Sequence, residues 1–259
     1  MNPVRMVLLD IDGTLAEGIG RAAFPGAAEA VRALLDHYPV RYVTNATSCT
    51  RAALVARLEA DGFPVEECPV VTPATLARSV LTGRDDTRGV LLCDPKARED
   101  LAWFRETPPD EARAVLVATE AHRLRVGDLA GAVEALHSGA TLYTLQQNRV
   151  FRRDGRLLTD LGPVAAFLGY AADVAWENLG KPSPLLFRTL AAESGIDPGH
   201  MVMVGDDAEF DCAGALRAGV GSAVLVRTGK YRPSDENRVP PPPTHVVDSI
   251  ADLPALLAG

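Results

Sequence analysis

Asp10 and Asp12 stand one residue apart in Asp10-Ile11-Asp12-Gly13-Thr14-Leu15, directly after the apolar run 4–9. That run reads as a buried strand of a parallel sheet, and alternate residues of a strand face the same way. Two carboxylates therefore leave the carboxyl end of a core strand together, and Gly13 lets the chain turn sharply behind them. Open α/β sheets bind ligands just outside the carboxyl ends of their strands. Carboxylates gathered there need compensation, and a hard cation such as Mg²⁺ suits their oxygens. An aspartate is ionised at neutral pH and needs no base to act as a nucleophile. Asp10 is the candidate to attack phosphorus and form an aspartyl phosphate. Asp12 is the candidate to protonate the leaving oxygen, then to deprotonate the water that opens the intermediate.

Chemistry-bearing residues recur at three further places. Thr44 and Asn45 follow a predicted strand at 40–43, Lys181 precedes a predicted helix at 185–193, and Asp206 and Asp211 follow a predicted strand at 201–204. Thr44 offers a hydroxyl to phosphate oxygens, and Asn45 a backbone N–H and an amide. Lys181 offers a compact positive charge to the charge that spreads during phosphoryl transfer. The Asp10 and Asp206 carboxylates, with the Asp12 carbonyl, form the candidate Mg²⁺ ligand set. The ion matters because an anionic nucleophile must approach an anionic phosphate. Asp211 is assigned to orient Lys181 or a metal-bound water. Singly, each has a plainer reading: Thr44-Asn45 as a turn, Lys181 as a surface lysine, Asp206-Asp207 as acids favoured at a helix start. Their placement together points to function.

The elements that must position these groups alternate between strand and helix. Helices are predicted over 28–37, 51–61 and 73–81, with strands at 40–43 and 70–72. The middle reads as its own α/β unit, with strands at 90–92 and 114–117 and helices at 96–104 and 129–137. The segments 140–144 and 150–152, followed by Asp154-Gly155, signal a hairpin, and 161–170 returns to helix. Ser183 suits an N-cap and Pro184 the first turn of the next helix. A helix at 213–218 closed by Gly219, strands at 223–226 and 246–247, a stiff segment 240–243 and a tail helix at 250–257 complete the pattern. The expected fold class is α/β: a doubly wound parallel-sheet core, residues 1–77 and 178–259, carrying a smaller inserted α/β domain, residues 78–177.

Composition narrows the partners. With 259 residues and 47% hydrophobic content, the chain can bury one large core or two modest ones. The net charge of -8 disfavours nucleic acid and anionic membranes as partners. No apolar stretch approaches the roughly 20 residues of a membrane span. The chain opens almost at once on strand, so no leader is expected. Cys49, Cys68, Cys93 and Cys212 form no Cys-x-x-Cys pair, which suits reduced thiols in a cytoplasmic protein rather than a zinc site or disulfide frame. Gly18-Ile19-Gly20 does not complete a dinucleotide fingerprint and reads as freedom for the segment behind Asp12.

The four segments, in this order, resemble the signature of the haloacid dehalogenase superfamily. The first motif is Asp10-Ile11-Asp12-Gly13-Thr14, the second the strand end at Thr44, the third Lys181, and the fourth the run from Gly205 through Asp206-Asp207 to Asp211. The resemblance implies a Rossmann-like core and Mg²⁺-dependent hydrolysis of phosphate esters. Asp12, absent from dehalogenase members, implies phosphatase chemistry. The position of the insert, Thr44-Asn45, Gly180-Lys181-Pro182 and the run 226–231 resemble the NagD-like branch with a large α/β cap, nearest to phospholysine phosphohistidine inorganic pyrophosphate phosphatases. Ala46-Thr47-Ser48-Cys49 lacks the second asparagine often found after the second motif in that branch. The resemblance implies a cap that closes over a small phosphorylated substrate and a homodimer formed through the cap. Inorganic pyrophosphatase or phosphoamidase activity is the alternative enzyme reading. A phospho-ligand sensor or receiver is the non-enzymatic one, although receivers are usually shorter and lack an insert.

Overall fold

A computed structural model of the protein describes residues 3–18, 21–153 and 155–258. The chain forms two compact units, one of Met1–Thr44, Arg51–Val71 and Lys181–Gly259, the other of Asn45–Thr50 and Thr72–Gly180. The sequence placed the divisions after residues 77 and 177; the units divide after 71 and 180, and 45–50 go with the second unit.

The first unit begins with strands β1 (Met6–Leu9), β2 (Val40–Val43) and β3 (Val70–Val71). The chain then builds the second unit's strands: β4 (Arg88–Cys93), β5 (Arg105–Glu106), β6 (Ala114–Ala118), β7 (Thr141–Thr144), β8 (Val150–Arg153), β9 (Arg156–Thr159) and β10 (Trp176–Asn178). It returns to the first unit with β11 (Met201–Gly205), β12 (Ser222–Val226) and β13 (His245–Val247).

The first unit's sheet has the order β13-β12-β11-β1-β2-β3, and every pairing is parallel. Strands one to three run outward on one side of the centre and the last three on the other. This is the doubly wound Rossmann order, with its reversal between β1 and β11. β1, β11 and β12 are buried at every position. Such strands are covered on both faces, so they show as continuous apolar runs rather than as an alternation. Leu9 is in register with Val204, and the Asp10 N–H donates to the Val204 carbonyl at 2.9 Å. Asp10 and Asp206 therefore leave adjacent strands at the switch point.

The Ser183 and Pro184 signals hold: the helix Pro184–Ser194 starts with the Ser183 hydroxyl accepting from the Leu185 N–H at 3.2 Å and ends on left-handed Gly195. The helix expected at 213–218 is the α-helix Gly214–Arg217, and an unexpected π-helix, Ala208–Ala213, runs directly into it. The Asp207 side chain starts it, accepting from the N–H groups of Glu209 and Phe210 at 3.0 Å each.

The second unit has its own all-parallel sheet, order β10-β7-β6-β4-β5, and a separate antiparallel hairpin of β8 and β9. Its longer helices are Pro73–Gly83, Ala130–His137 and Leu161–Ala172. The segment 140–144 belongs to the parallel sheet, not to the hairpin. The helix expected at 96–104 is a 3₁₀ segment, Pro95–Leu101, in which only Ala97 and Leu101 are buried. That apolar face is too narrow to hold a longer helix. β5 and β10 escaped detection because they are two and three residues long and carry no apolar run. Ile19, Gly20 and Asp154, on which two of the loop expectations fall, lie outside the described residues.

Candidate active site

Asp10, Thr44, Lys181, Asp206 and Asp211 are all buried in the first unit. Lys181 is the hub. Its Nζ donates to Asp10 Oδ1 and, at 2.7 Å, to Asp211 Oδ1. Asp10 Oδ2 accepts from the Thr14 hydroxyl at 3.1 Å. Asp211 Oδ2 accepts from the Asp207 N–H at 3.1 Å, so both of its oxygens are engaged. Asp211 thus contacts Lys181 through a carboxylate whose other oxygen is anchored to the backbone. Asp206 Oδ2 accepts from the Lys230 N–H at 2.6 Å.

Carboxylate oxygens of Asp10, Asp206 and Asp211 lie within 4.8 Å of one another. The backbone is shaped to allow this. Gly13 has φ 91°, and a Cβ there would overlap Asp206 Oδ2; a Cβ on Gly205 would overlap the Asp211 carboxylate. No larger residue fits either place.

The electrostatics are those of a site short of positive charge. Burial pushes Asp10 above the usual carboxylate range; Lys181 opposes the rise and Asp12 adds to it. Burial, then the neighbouring Asp10 and Asp211 charges, push Asp206 up to about 8. Asp211 rises to about 6, mainly by burial, with Lys181 opposing. For Lys181, burial alone would lower the pKa, but the Asp10 and Asp211 charges outweigh it and raise it. The Lys181 ammonium, with Lys230 as a second positive charge acting on Asp10 and Asp206, thus faces three buried carboxylates. An oxygen-only donor set with surplus negative charge fits a hard divalent cation, and Asp10 and Asp206 are the residues that would hold it.

The Asp12 carboxylate lies outside this trio; its Oδ2 is 3.5 Å from the Thr44 hydroxyl. Its assignment as a metal ligand rests on its carbonyl alone. Thr44 directly follows β2, its N–H donating to the Val71 carbonyl at 3.2 Å. Asn45 belongs to the second unit, where a Cβ on Gly180 would come within 2.6 Å of its amide oxygen. The sequence reading quoted Thr14 and the run 226–231 for the resemblance but gave no site role to Thr14 or to Thr228-Gly229-Lys230, whose Thr228 hydroxyl donates to the Gly13 carbonyl at 2.6 Å. The signal for that run was available: it follows β12, at the same edge of the sheet as the other motifs.

A Rossmann-like sheet that presents a lysine-bridged carboxylate cluster at its switch point, with a second α/β unit inserted between β3 and β11, defines a class of hydrolases. The chain belongs to the haloacid dehalogenase-like hydrolase family. A family model of that description matches residues 7–103, and a second HAD-like hydrolase model matches 178–253. The chain is 35% identical over 255 residues to haloacid dehalogenase-like hydrolase domain-containing protein 2 of Pongo abelii, covering 95% of this chain and 96% of that one. It is 34% identical over 259 residues to phospholysine phosphohistidine inorganic pyrophosphate phosphatase of Bos taurus, covering 98% and 94%. Among solved structures it resembles glycerol phosphate phosphatase from Mycobacterium tuberculosis in complex with magnesium, with a TM-score of 0.81 and 26% identity over 98% of this chain and 78% of that one.

Proposed function

We propose that the protein is a Mg²⁺-dependent phosphatase of small phosphorylated metabolites that works through an aspartyl phosphate on Asp10. The observation that carries this reading is the buried Asp10–Lys181–Asp211 array beside Asp206 at the switch point. A bound cation supplies neutralising charge between the Asp10 carboxylate and the phosphate.

Asp10 attacks phosphorus, forming an O–P bond as the ester P–O bond breaks. Asp12 gives its proton to the departing oxygen. Asp12 then takes a proton from water, the water oxygen attacks phosphorus, and the bond to Asp10 breaks to release inorganic phosphate. Asp10 is restored, and atoms and charge balance over the cycle. Lys181 remains charged throughout and holds Asp10 in line. Thr44 and Asn45 serve the phosphate oxygens, the second unit acts as the cap that selects the substrate, and the chain pairs through that unit. All four cysteines are free thiols, in keeping with a reducing cytoplasm.

The test is turnover of p-nitrophenyl phosphate with and without Mg²⁺, beside Asp10→Asn. The variant is expected to lose at least about a thousandfold in kcat/KM. Undiminished Mg²⁺-dependent turnover by the variant would rule out Asp10 as the nucleophile. Phosphate binding without turnover of any ester would favour the sensor reading. Cleavage of P–O–P or P–N bonds is the second enzyme reading, favoured by the 34% identity to a protein named for both activities. Pyrophosphate, phosphoimidazole and sugar phosphates compared at equal concentration separate the two.

A further inference from the structure

Asp206 is held by a segment that has no assigned role. After β12 the chain runs Arg227-Thr228-Gly229-Lys230. The Lys230 N–H donates to Asp206 Oδ2, and the Thr228 hydroxyl donates to the Gly13 carbonyl, each at 2.6 Å. Gly229 is left-handed, with φ 59°, and a Cβ there would overlap both Asp206 Oδ2 and the Gly13 Cα. A Cβ on Gly13 would overlap the same carboxylate oxygen. Asp206 Oδ2 therefore sits in a cradle built from two loops, one following β1 and one following β12. Its other oxygen, Oδ1, makes no hydrogen bond among the described residues.

With Oδ2 held by the Lys230 N–H and hemmed in by Gly13 and Gly229, Oδ1 is the freer oxygen to present to a ligand. The orientation of that oxygen then depends on how firmly the two loops are joined. The backbone N–H of Lys230 cannot be removed without changing the chain path, but the Thr228 hydroxyl can. It is the side chain that fastens one loop to the other.

We propose that Thr228-Gly229-Lys230 is a clamp that aims Asp206 Oδ1 at the cation, with Thr228 as its positioning residue. This rests on the metal-dependent reading above. Groups that hold a metal ligand in place typically change metal affinity about 10–100-fold when removed. Thr228→Val deletes the hydroxyl and keeps the shape; Thr228→Ser keeps the hydroxyl. Mg²⁺ binding is measured by isothermal titration calorimetry on the full chain without substrate, with folding checked by circular dichroism.

Thr228→Val is expected to weaken Mg²⁺ binding about tenfold. Thr228→Ser should stay within about twofold of the parent, since the hydrogen bond remains. The KM for p-nitrophenyl phosphate at saturating Mg²⁺ should not move, because the clamp touches no substrate atom. If valine disturbs the fold, Thr228→Ala gives the same readout. Folded Thr228→Val that binds Mg²⁺ like the parent, or Thr228→Ser as weak as valine, overturns the clamp. A parent protein with neither Mg²⁺ binding nor Mg²⁺-dependent turnover overturns instead the reading on which the clamp rests.

Discussion

Lys181 is held between Asp10 and Asp211 with almost no exposure, and its charge is what makes their burial tolerable. Removing one member of a buried ion cluster strands the rest, at a cost of about 3–5 kcal/mol. Lys181→Met is expected to lose stability of that order in urea unfolding without metal, and to lose turnover as well. Asp206 has a different signature. Its pKa is about 8 in the folded, metal-free protein, raised by burial and by the Asp10 and Asp211 charges. In the unfolded chain it titrates near the ordinary carboxylate value of about 4. Between those values the folded state holds a proton that the unfolded state has released. This group's contribution to stability is therefore greatest below about pH 4 and falls as the pH rises toward 8. Ligation requires the ionised carboxylate, so cation binding expels the proton. Mg²⁺ affinity is expected to rise with pH up to about 8, with proton release below that pH. Calorimetry in two buffers of different ionisation enthalpy measures it, and equal heats in both would count against this assignment.

The strands carry the site, and they were readable because burial on both faces makes each one an unbroken apolar run. Met6–Leu9 and Met201–Gly205 announce themselves this way, and so do the acids that follow them. The π-helix Ala208–Ala213 was not readable, since its residues also suit an α-helix and only the contacts of Asp207 and Asp211 favour the wider turn. π-turns of this kind occur often at functional sites. Asp207 supports it twice, capping the Glu209 and Phe210 N–H groups with its side chain and engaging Asp211 through its N–H. Asp207→Ala is expected to cost about 1 kcal/mol through the lost cap. It should also reduce kcat by loosening Asp211 and hence Lys181. Asp207→Asn, which can still accept at the helix start, should retain most of both. Urea unfolding and steady-state kinetics check the pair. In the second unit, β10 was invisible for the opposite reason: Trp176–Asn178 has no apolar run, and it pairs with β7 through the backbone and through Arg84, which bridges the Glu177 and Tyr143 side chains.

Over the whole molecule, every acid of the candidate cation site lies in the first unit. A ligand that binds only the folded state stabilises by about 2.7 kcal/mol at a hundred times its dissociation constant. Saturating Mg²⁺ is therefore expected to slow hydrogen exchange in β1 and β11, and to leave β6 and β7 at their metal-free rates. Equal protection of both units would show that they open together. Spacing and residue type alone determined the alternating α/β class, the insertion after the third strand and the candidate nucleophile, because these follow from local periodicity and from carboxylates placed after apolar runs. Only the tertiary structure decided which distant groups meet. Strand order puts the ends of β1 and β11 side by side, and glycines at 13, 205 and 229 leave room for carboxylates where any side chain would collide. For Thr228 and Lys230 the sequence showed only that they follow a core strand at that edge of the sheet; their hydroxyl and backbone N–H acquire a role only when folding brings Gly13 and Asp206 against them.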